Sequence, residues 1–158
     1  MLTARNVLQD CRHSLQLLND ETDEATFRVL WTAGVSLARA VGHTLRNVDA
    51  QTSPTLREAV DKLYQNWKSD RATHQIFWDF IAHERNMVLK QYEAGFYAGP
   101  VEITSGEDGP YRLTGQLFCP INDGPYAGED CRDVLAEAIE WWERQLAFVE
   151  SSSSSAPR

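Results

Sequence analysis

Two charged residues interrupt an apolar stretch of the sequence, within residues 77–92. At about 100° per residue, Glu84 falls on the apolar face of a helical wheel between Phe80 and Val88, and Arg85 falls on the same apolar arc. A buried charge needs a partner or a shifted pKa. The pattern therefore predicts one of two arrangements. Either the two residues form a structural polar network, with Arg85 reaching the rim of the core, or they border a cavity that holds a ligand.

A second group of charged residues repeats at helical spacing. Arg39, His43 and Arg46 occupy positions i, i+4 and i+7 along one predicted helix. Guanidinium groups bind phosphate through paired hydrogen bonds, and an imidazole changes its charge near neutral pH. The spacing predicts a phosphate-binding flank, with a solvated basic face as the simpler alternative.

Two segments carry a resemblance to known proteins. Residues 36–49, SLARAVGHTLRNVD, and residues 80–92, FIAHERNMVLKQY, resemble a family of bacterial and phage-associated helical proteins of uncharacterised function. Arg85-Asn86 also resembles the opening of the Arg-Asn-x(4–6)-His signature of the HEPN superfamily. Members of that superfamily are helical bundles, often dimers, and many of them cleave RNA without a metal ion in defence and toxin systems. The resemblance implies that Arg85 and Asn86 contact RNA phosphate and that Glu84 orients Arg85.

The chain departs from the signature at its second half. No histidine follows His83, and the expected position is occupied by Lys90, Gln91 or Tyr92. The imidazole that would move a proton during phosphodiester attack is therefore absent from that helix. Tyr92, as a hydrogen-bond donor, and His43, approaching from another helix, are the candidate substitutes in a degenerate motif.

Other chemistries fit less well. His83-Glu84 begins like a zinc-protease motif, but Met87 stands where the second histidine would be. Two acidic pairs are similar to the motifs of helical nucleotide pyrophosphohydrolases: Glu21 with Glu24, and Glu58 with Asp61. The first pair begins a helix and the second faces solvent, so this reading is a minor alternative. No metal ion and no cofactor is predicted.

Helical periodicity accounts for most of the chain. The predicted helices cover residues 3–19, about 24–48, 54–68, about 72–92 and about 129–150. Thr3 is the expected cap of the first helix, an acidic cluster begins the second, and Ser53-Pro54 begins the third. Gly34 and Gly42 place small residues on one seam of the second helix, which favours close approach by another helix.

Glycine and proline interrupt the helical pattern between residues 95 and 128. Alternating apolar residues around Gly109-Pro110 predict a small β-hairpin there. The fold class is therefore all-α, a bundle of about five helices with a small hairpin or loop excursion before the last helix. Residues 1–150 are expected to form a single domain, followed by a disordered serine-rich tail, 151–158.

Composition restricts the cellular setting. The net charge of −8 argues against general nucleic-acid binding and requires any basic site to be local. The three cysteines, an odd number without a Cys-x-x-Cys pair, favour a reducing compartment. The start lacks a signal-peptide pattern, and no apolar run reaches the ~20 residues of a membrane span. We expect a cytoplasmic protein without a membrane partner.

The leading functional hypothesis is a HEPN-like protein that binds or processes RNA in a bacterial stress or defence setting, with metal-independent ribonuclease activity left open. Arg85, Asn86, Tyr92 and His43 are its candidate catalytic residues, and Glu84, Arg46 and Arg39 are its candidate binding residues. The alternative is a non-catalytic interaction module. In either case we expect a homodimer, formed through the small-residue seam or through Trp141 and Phe148, which lie one heptad apart on the last helix.

Overall fold

The architecture comes from a computed structural model, which describes residues 1–99, 101–104, 109–113 and 117–154. Within these described residues, five α-helices form a bundle, and the predicted all-α class is confirmed. The helices are α1 (Thr3–Asp20), α2 (Glu24–Asn47), α3 (Pro54–Ser69), α4 (Ala82–Gln91) and α5 (Cys131–Ser154).

Two helix starts are built as the sequence predicts. The Asp23 carboxylate accepts a hydrogen bond from the Thr26 backbone N–H at 2.8 Å, so the acidic cluster does begin α2. The Ser53 hydroxyl accepts one from the Leu56 N–H at 3.1 Å, and Pro54 is the first residue of α3. Both caps act within one helical turn, which is why local sequence reveals them.

The start of α1 differs from its prediction. Thr3 is the first helical residue rather than the cap, and no side chain of the neighbouring sequence caps this helix. The buried carboxylate of Asp49 does so instead, accepting hydrogen bonds from the backbone N–H groups of Thr3 at 2.7 Å and Ala4 at 2.9 Å. Asp49 begins the 3₁₀ turn Asp49–Gln51 that follows α2, so tertiary packing supplies the cap.

The predicted fourth helix is not continuous. Residues Ile76–Ile81 form a π-helical segment, and the regular helix α4 begins only at Ala82. The Ala82 N–H donates to the carbonyl of Phe77, five residues earlier, which is the hydrogen bond that defines a π turn. The wider turn carries four buried apolar residues: Ile76, Phe77, Phe80 and Ile81.

Two short strands lie between α4 and α5, in the segment where the sequence predicts a hairpin. Strand β1 (Val101–Thr104) pairs antiparallel with β2 (Pro110–Leu113), with Val101 opposite Leu113. Residues 105–108 of the expected turn lie outside the described residues. Helix α5 continues to Ser154, four residues beyond the predicted end of the domain, and residues 155–158 of the predicted tail also lie outside the described part.

Helix α2 is the central element of the bundle. It packs along α1 and also contacts α3, α4 and α5. A Cβ added at Gly34 would lie 3.0 Å from Leu135 of α5, and one added at Gly42 would lie 2.9 Å from Trp142. The small-residue seam therefore serves close helix packing inside this chain.

An aromatic cluster fills the space between α3, the π-helical segment and α5. Trp67 is at its centre, with ring centroids 4.9 Å from Phe77 and 4.8 Å from Trp141. The Trp141 indole N–H donates to Nδ1 of the buried His74 at 3.2 Å, and Trp141 is only 3% exposed. The prediction that Trp141 lies on the surface is therefore wrong, because its helix edge is covered by this cluster. Phe148 is 51% exposed, as expected.

Among the helices of the described residues, none combines the length and the apolar composition needed to cross a lipid bilayer.

Candidate functional site

Three of the predicted site residues share one flank of α2. Arg39 is half-buried, whereas His43 and Arg46, one and two turns further on, are exposed. They flank the buried seam of Ala38 and Val41, which faces the core. The apolar seam fixes the rotation of α2, and that rotation leaves the basic flank at the surface.

Helix α4 brings a fourth basic residue to this flank. The positive charge of Arg85 lies close enough to both Arg39 and His43 to lower their pKa values. Residues far apart in sequence thus meet where α4 packs against α2. We call Arg39, His43, Arg46 and Arg85 the cationic cluster.

Aromatic rings support two of the guanidinium groups. Cζ of Arg39 lies 5.2 Å from the centroid of Phe77, in the π-helical segment, and Cζ of Arg46 lies 5.3 Å from the centroid of Tyr64, in α3. Both distances are typical of cation–π contacts. The Tyr64 hydroxyl donates to the Gly42 carbonyl at 2.9 Å, which fixes the ring against α2. Phe77 and Tyr64 therefore position the side chains of the cluster.

Burial and mutual repulsion set the protonation of the cluster. Burial lowers the pKa of Arg39; Tyr64 opposes this shift, and the charge of Arg85 adds to it. Burial also lowers the pKa of His43, and the charges of Arg39 and Arg85 lower it further. His43 is consequently neutral near pH 7. A neutral imidazole beside guanidinium groups can accept a proton.

No carboxylate of the described residues forms an ion pair with Arg39, Arg46 or Arg85. Other arginines do have such partners: Arg12 is 2.7 Å from Glu143, and Arg132 is 2.7 Å from Asp130. Arg57, Arg71 and Arg144 also form no ion pair within the described residues, so the distinguishing feature of the cluster is that its arginines share one surface. Because no carboxylate of the described residues neutralises its guanidinium groups, the cationic cluster can attract an external anion.

The neighbours of Arg85 are not those predicted. The Arg85 guanidinium donates to the side-chain oxygen of Asn86 at 3.1 Å, so Asn86 rather than Glu84 orients it. Tyr92 ends α4 in the left-handed conformation, with φ of 55°, and is 71% exposed. Within the described residues, no hydrogen bond or ring contact joins Tyr92 to Arg85 or His43.

Glu84 is buried, as the helical wheel predicts, and is only 3% exposed. Its Oε2 accepts a hydrogen bond from the Gly95 N–H at 3.2 Å, and the residues that the structure describes give it no ion pair with an arginine or lysine. Burial raises the pKa of this carboxyl above its usual range. The predicted Glu84–Arg85 network is therefore absent here, and Glu84 instead lines a cleft on another side of α4.

The alternative chemistries gain no support from the placement of their residues. The Glu21 carboxylate accepts hydrogen bonds from the N–H groups of Thr22 and Asp23, so it terminates α1, and Glu58 and Asp61 are exposed on α3. Across the described ranges, no three His, Cys, Asp or Glu side chains are grouped as a metal ion would require.

Two members of the site could not be identified from sequence. Phe77 and Tyr64 read as ordinary core positions of their helices, because the contact with an arginine depends on how three elements pack. The other members could be identified from sequence. The i, i+4, i+7 spacing indicated the three basic residues of α2, and the charged pair within an apolar stretch indicated Arg85 on α4.

Comparison with known proteins gives no relative: no family model, no curated protein and no solved structure matches this chain. Any functional argument therefore depends on the geometry of the described residues. They form a five-helix bundle with a cationic cluster where α2, α3 and α4 meet.

Proposed function

We propose that this protein binds RNA, with the cationic cluster contacting consecutive phosphates. The observation that carries the proposal is the meeting of Arg39, Arg46 and Arg85 on one surface without an ion-paired carboxylate among the described residues. An unpaired guanidinium presents a planar set of donors that matches phosphate oxygens. The resemblance of residues 80–92 to HEPN proteins supports RNA as the source of that phosphate, in a bacterial stress or defence setting and in the cytoplasm.

The arrangement favours a polyanion over a single phosphate group. The basic residues of α2 extend over two helical turns, from Arg39 to Arg46, which is roughly 10 Å along the axis. That length is greater than the width of one phosphate group and is similar to the span of two neighbouring phosphates in a nucleic-acid strand. The rest of the protein carries a strongly negative net charge, so we expect RNA to bind only at the surface of the cationic cluster.

His43 is the group of the cluster that could take part in cleavage. The degenerate signature lacks its own histidine, and His43 reaches the neighbourhood of Arg85 from α2. A neutral imidazole there could accept the proton of a ribose 2′-hydroxyl while Arg39 and Arg85 stabilise the charge on phosphate. Asn86 would hold Arg85 in place, and Tyr92 has no assigned part in this arrangement.

The binding proposal is tested by fluorescence anisotropy with a labelled single-stranded RNA. Arg46→Gln and Arg85→Gln should each weaken binding by about tenfold, because a hydrogen bond to a charged group contributes roughly 1.5 kcal/mol. Arg28→Gln is the matched control, since it removes one charge from the exposed face of α2, near its start. Equal losses in all three variants would mean that general charge, and not this cluster, determines affinity.

Incubation of the same RNA with EDTA-treated protein separates cleavage from binding alone. If the cluster is catalytic, RNA is cut without a divalent metal, and His43→Asn abolishes cutting while the anisotropy titration still shows binding. Intact RNA after incubation, with affinity retained, would identify a binding protein whose catalytic motif is degenerate.

The alternative, a non-catalytic module that acts as a homodimer, rests on Phe148. Trp141 no longer supports it, because that side chain lies in the aromatic cluster. Phe148 borders a groove of about 280 Å³ together with Leu63 and Lys62 of α3. This surface is the proposed contact between two copies of the chain.

A further inference from the structure

A second cleft, separate from the cationic cluster, opens between the π-helical segment and the loop before α5. Its volume is about 310 Å³, which lies at the small end of ligand pockets. Aromatic side chains from both sides form its walls: Trp78 and Phe80 from the π-helical segment, and Tyr126 from the loop. None of the residues of the cationic cluster lines it.

The polar residues of this cleft include three carboxyl groups. Asp79 follows Trp78 in the π-helical segment, Asp123 lies in the opposite loop, and both are exposed. Glu84 lies deeper, at 3% exposure. The charge of Asp123 disfavours ionisation of Glu84, so the two carboxyl groups are close enough to repel each other.

Among the described residues, Glu84 forms no ion pair with an arginine or lysine, although a positive charge on His83, which also lines the cleft, would favour its ionised form. Its Oε2 accepts a hydrogen bond from the Gly95 N–H at 3.2 Å. The buried indole N–H of Trp31, which has no partner at normal hydrogen-bond distance, is near enough to Glu84 to lower the pKa of this carboxyl and so partly oppose the effect of burial. A carboxylate this buried ordinarily needs a cation or several donors. Glu84 is one of the residues that line the cleft, so a cation bound there could supply part of this need.

We propose that this cleft binds a small aliphatic ammonium ion, with Glu84 as the principal counter-ion, Asp79 and Asp123 at the mouth, and the aromatic walls around the alkyl chain. Carboxylates and aromatic faces both attract an organic cation, through charge and through the ring quadrupole. The same lining would repel phosphate and other anions. The proposal does not depend on RNA binding, because it uses none of the same residues.

The lining suits an organic cation better than a metal ion. A hard divalent cation takes six or more oxygen ligands close together, whereas the described residues contain no group of three acidic or histidine side chains at such spacing. One face of the cleft is apolar, formed by Ile121 and Phe80. An alkyl chain can cover that face, and a hydrated metal ion cannot.

The π-helical segment explains why the cleft exists at this place. A π turn has one more residue than an α turn, so its side chains are displaced from the regular helical rows. Here the displaced turn carries Trp78, Asp79 and Phe80, all three of which line the cleft. A regular helix over residues 76–81 would change the direction of these side chains relative to Glu84 on the next turn.

Isothermal titration calorimetry of the full chain with butylammonium chloride tests the proposal, and 1-butanol is the neutral probe of equal size. We expect butylammonium to bind with a Kd on the order of 0.1–1 mM, as is typical of a ligand with so few atoms, and butanol to bind at least tenfold more weakly. Glu84→Gln should weaken butylammonium binding at least tenfold. Its amide oxygen still accepts from Gly95, so the fold is retained.

Two further variants keep the test decisive. Asp123→Asn, in the exposed loop, should weaken binding about threefold, because a partly solvated charge contributes less than a buried one. Glu58→Gln, on the exposed face of α3, removes an equal charge far from the cleft and should leave affinity unchanged. The proposal would be overturned if butylammonium did not bind, if butanol bound equally well, or if Glu84→Gln kept the wild-type affinity. It would also be overturned if MgCl₂ bound more tightly than butylammonium and Glu84→Gln removed that binding.

Discussion

His43 lies between two guanidinium groups, and its protonation therefore reports what occupies the cationic cluster. Burial, Arg39 and Arg85 all lower its pKa, so in the free protein it should titrate below about 6.5. Removing one neighbouring charge with Arg85→Gln should raise that pKa toward 6.5. A bound phosphate should raise it further, because an anion favours the imidazolium.

NMR of the imidazole signals over pH 4.5–8 measures this shift directly, with His13 on the exposed face of α1 as an internal control. The sign also fixes the effect on binding: RNA affinity should increase as pH falls through the pKa of His43, since binding takes up a proton. A His43 pKa that is the same in wild type, in Arg85→Gln and with RNA would separate this residue from the cluster.

The sequence identified charged residues better than it identified their partners. The wheel placed Glu84 in the core correctly, because apolar periodicity depends only on neighbouring turns. It could not show that Glu84 faces Gly95 and that Arg85 turns toward Asn86. The first contact depends on how the chain after α4 folds back against that helix, and the second depends on the side-chain conformation of Arg85. The spacing of residues in the sequence predicts neither.

At the scale of elements, helix ends were predictable wherever the capping group is local. Ser53 and Asp23 cap helices within three residues of themselves, whereas the cap of α1 comes from Asp49, 45 residues beyond the N–H group of Ala4. The π-helical segment escaped prediction for the same reason. Its apolar pattern fits an α-helix, and the aromatic cluster that accompanies the wider turn forms only in the tertiary structure.

The cap supplied by Asp49 should contribute measurably to stability. Asp49→Ala leaves two N–H groups at the start of α1 without their acceptors, and we expect a loss of about 1–3 kcal/mol in the free energy of unfolding. Asp49→Asn keeps one acceptor oxygen and should lose less. Urea unfolding of the three proteins gives the comparison. Thr55→Ala, at an exposed position in the first turn of α3, is a control for general perturbation, and a loss as large as that of Asp49→Ala would contradict the capping role.

At the scale of the molecule, acidic and basic residues pair in some parts of the bundle and not in others. Arg5 and Arg12 of α1 pair with Glu143 of α5, so part of the acidic C-terminal segment is neutralised within the bundle. Arg39 and Arg46 of α2 form no ion pair in the described part of the chain, whereas Arg28, near the start of the same helix, lies 3.9 Å from Glu24. Sequence spacing indicated the flank on α2, but only the packing of α4 against α2 adds Arg85 to it.

Association through the Phe148 surface is a separate expectation for the whole molecule. We expect light scattering after size exclusion to give twice the monomer mass of 17.9 kDa at micromolar concentration. Phe148→Glu should shift the mass toward the monomer, while Val29→Glu, at another exposed apolar position, on α2, should not. Trp141→Glu is unsuitable for this purpose, because it places a charge in the aromatic cluster and should unfold the protein. A wild-type mass of 17.9 kDa would rule out the dimer.

The salt dependence of RNA affinity tests the central claim most directly, because each phosphate contact releases counter-ions that salt opposes. For three arginine contacts to single-stranded RNA, the logarithm of the association constant should fall with the logarithm of salt concentration with a slope of about −2. Arg85→Gln should reduce the magnitude of that slope by about 0.7, and Arg28→Gln should not change it. A slope near zero, or one that Arg85→Gln leaves unchanged, would contradict phosphate binding by the cationic cluster.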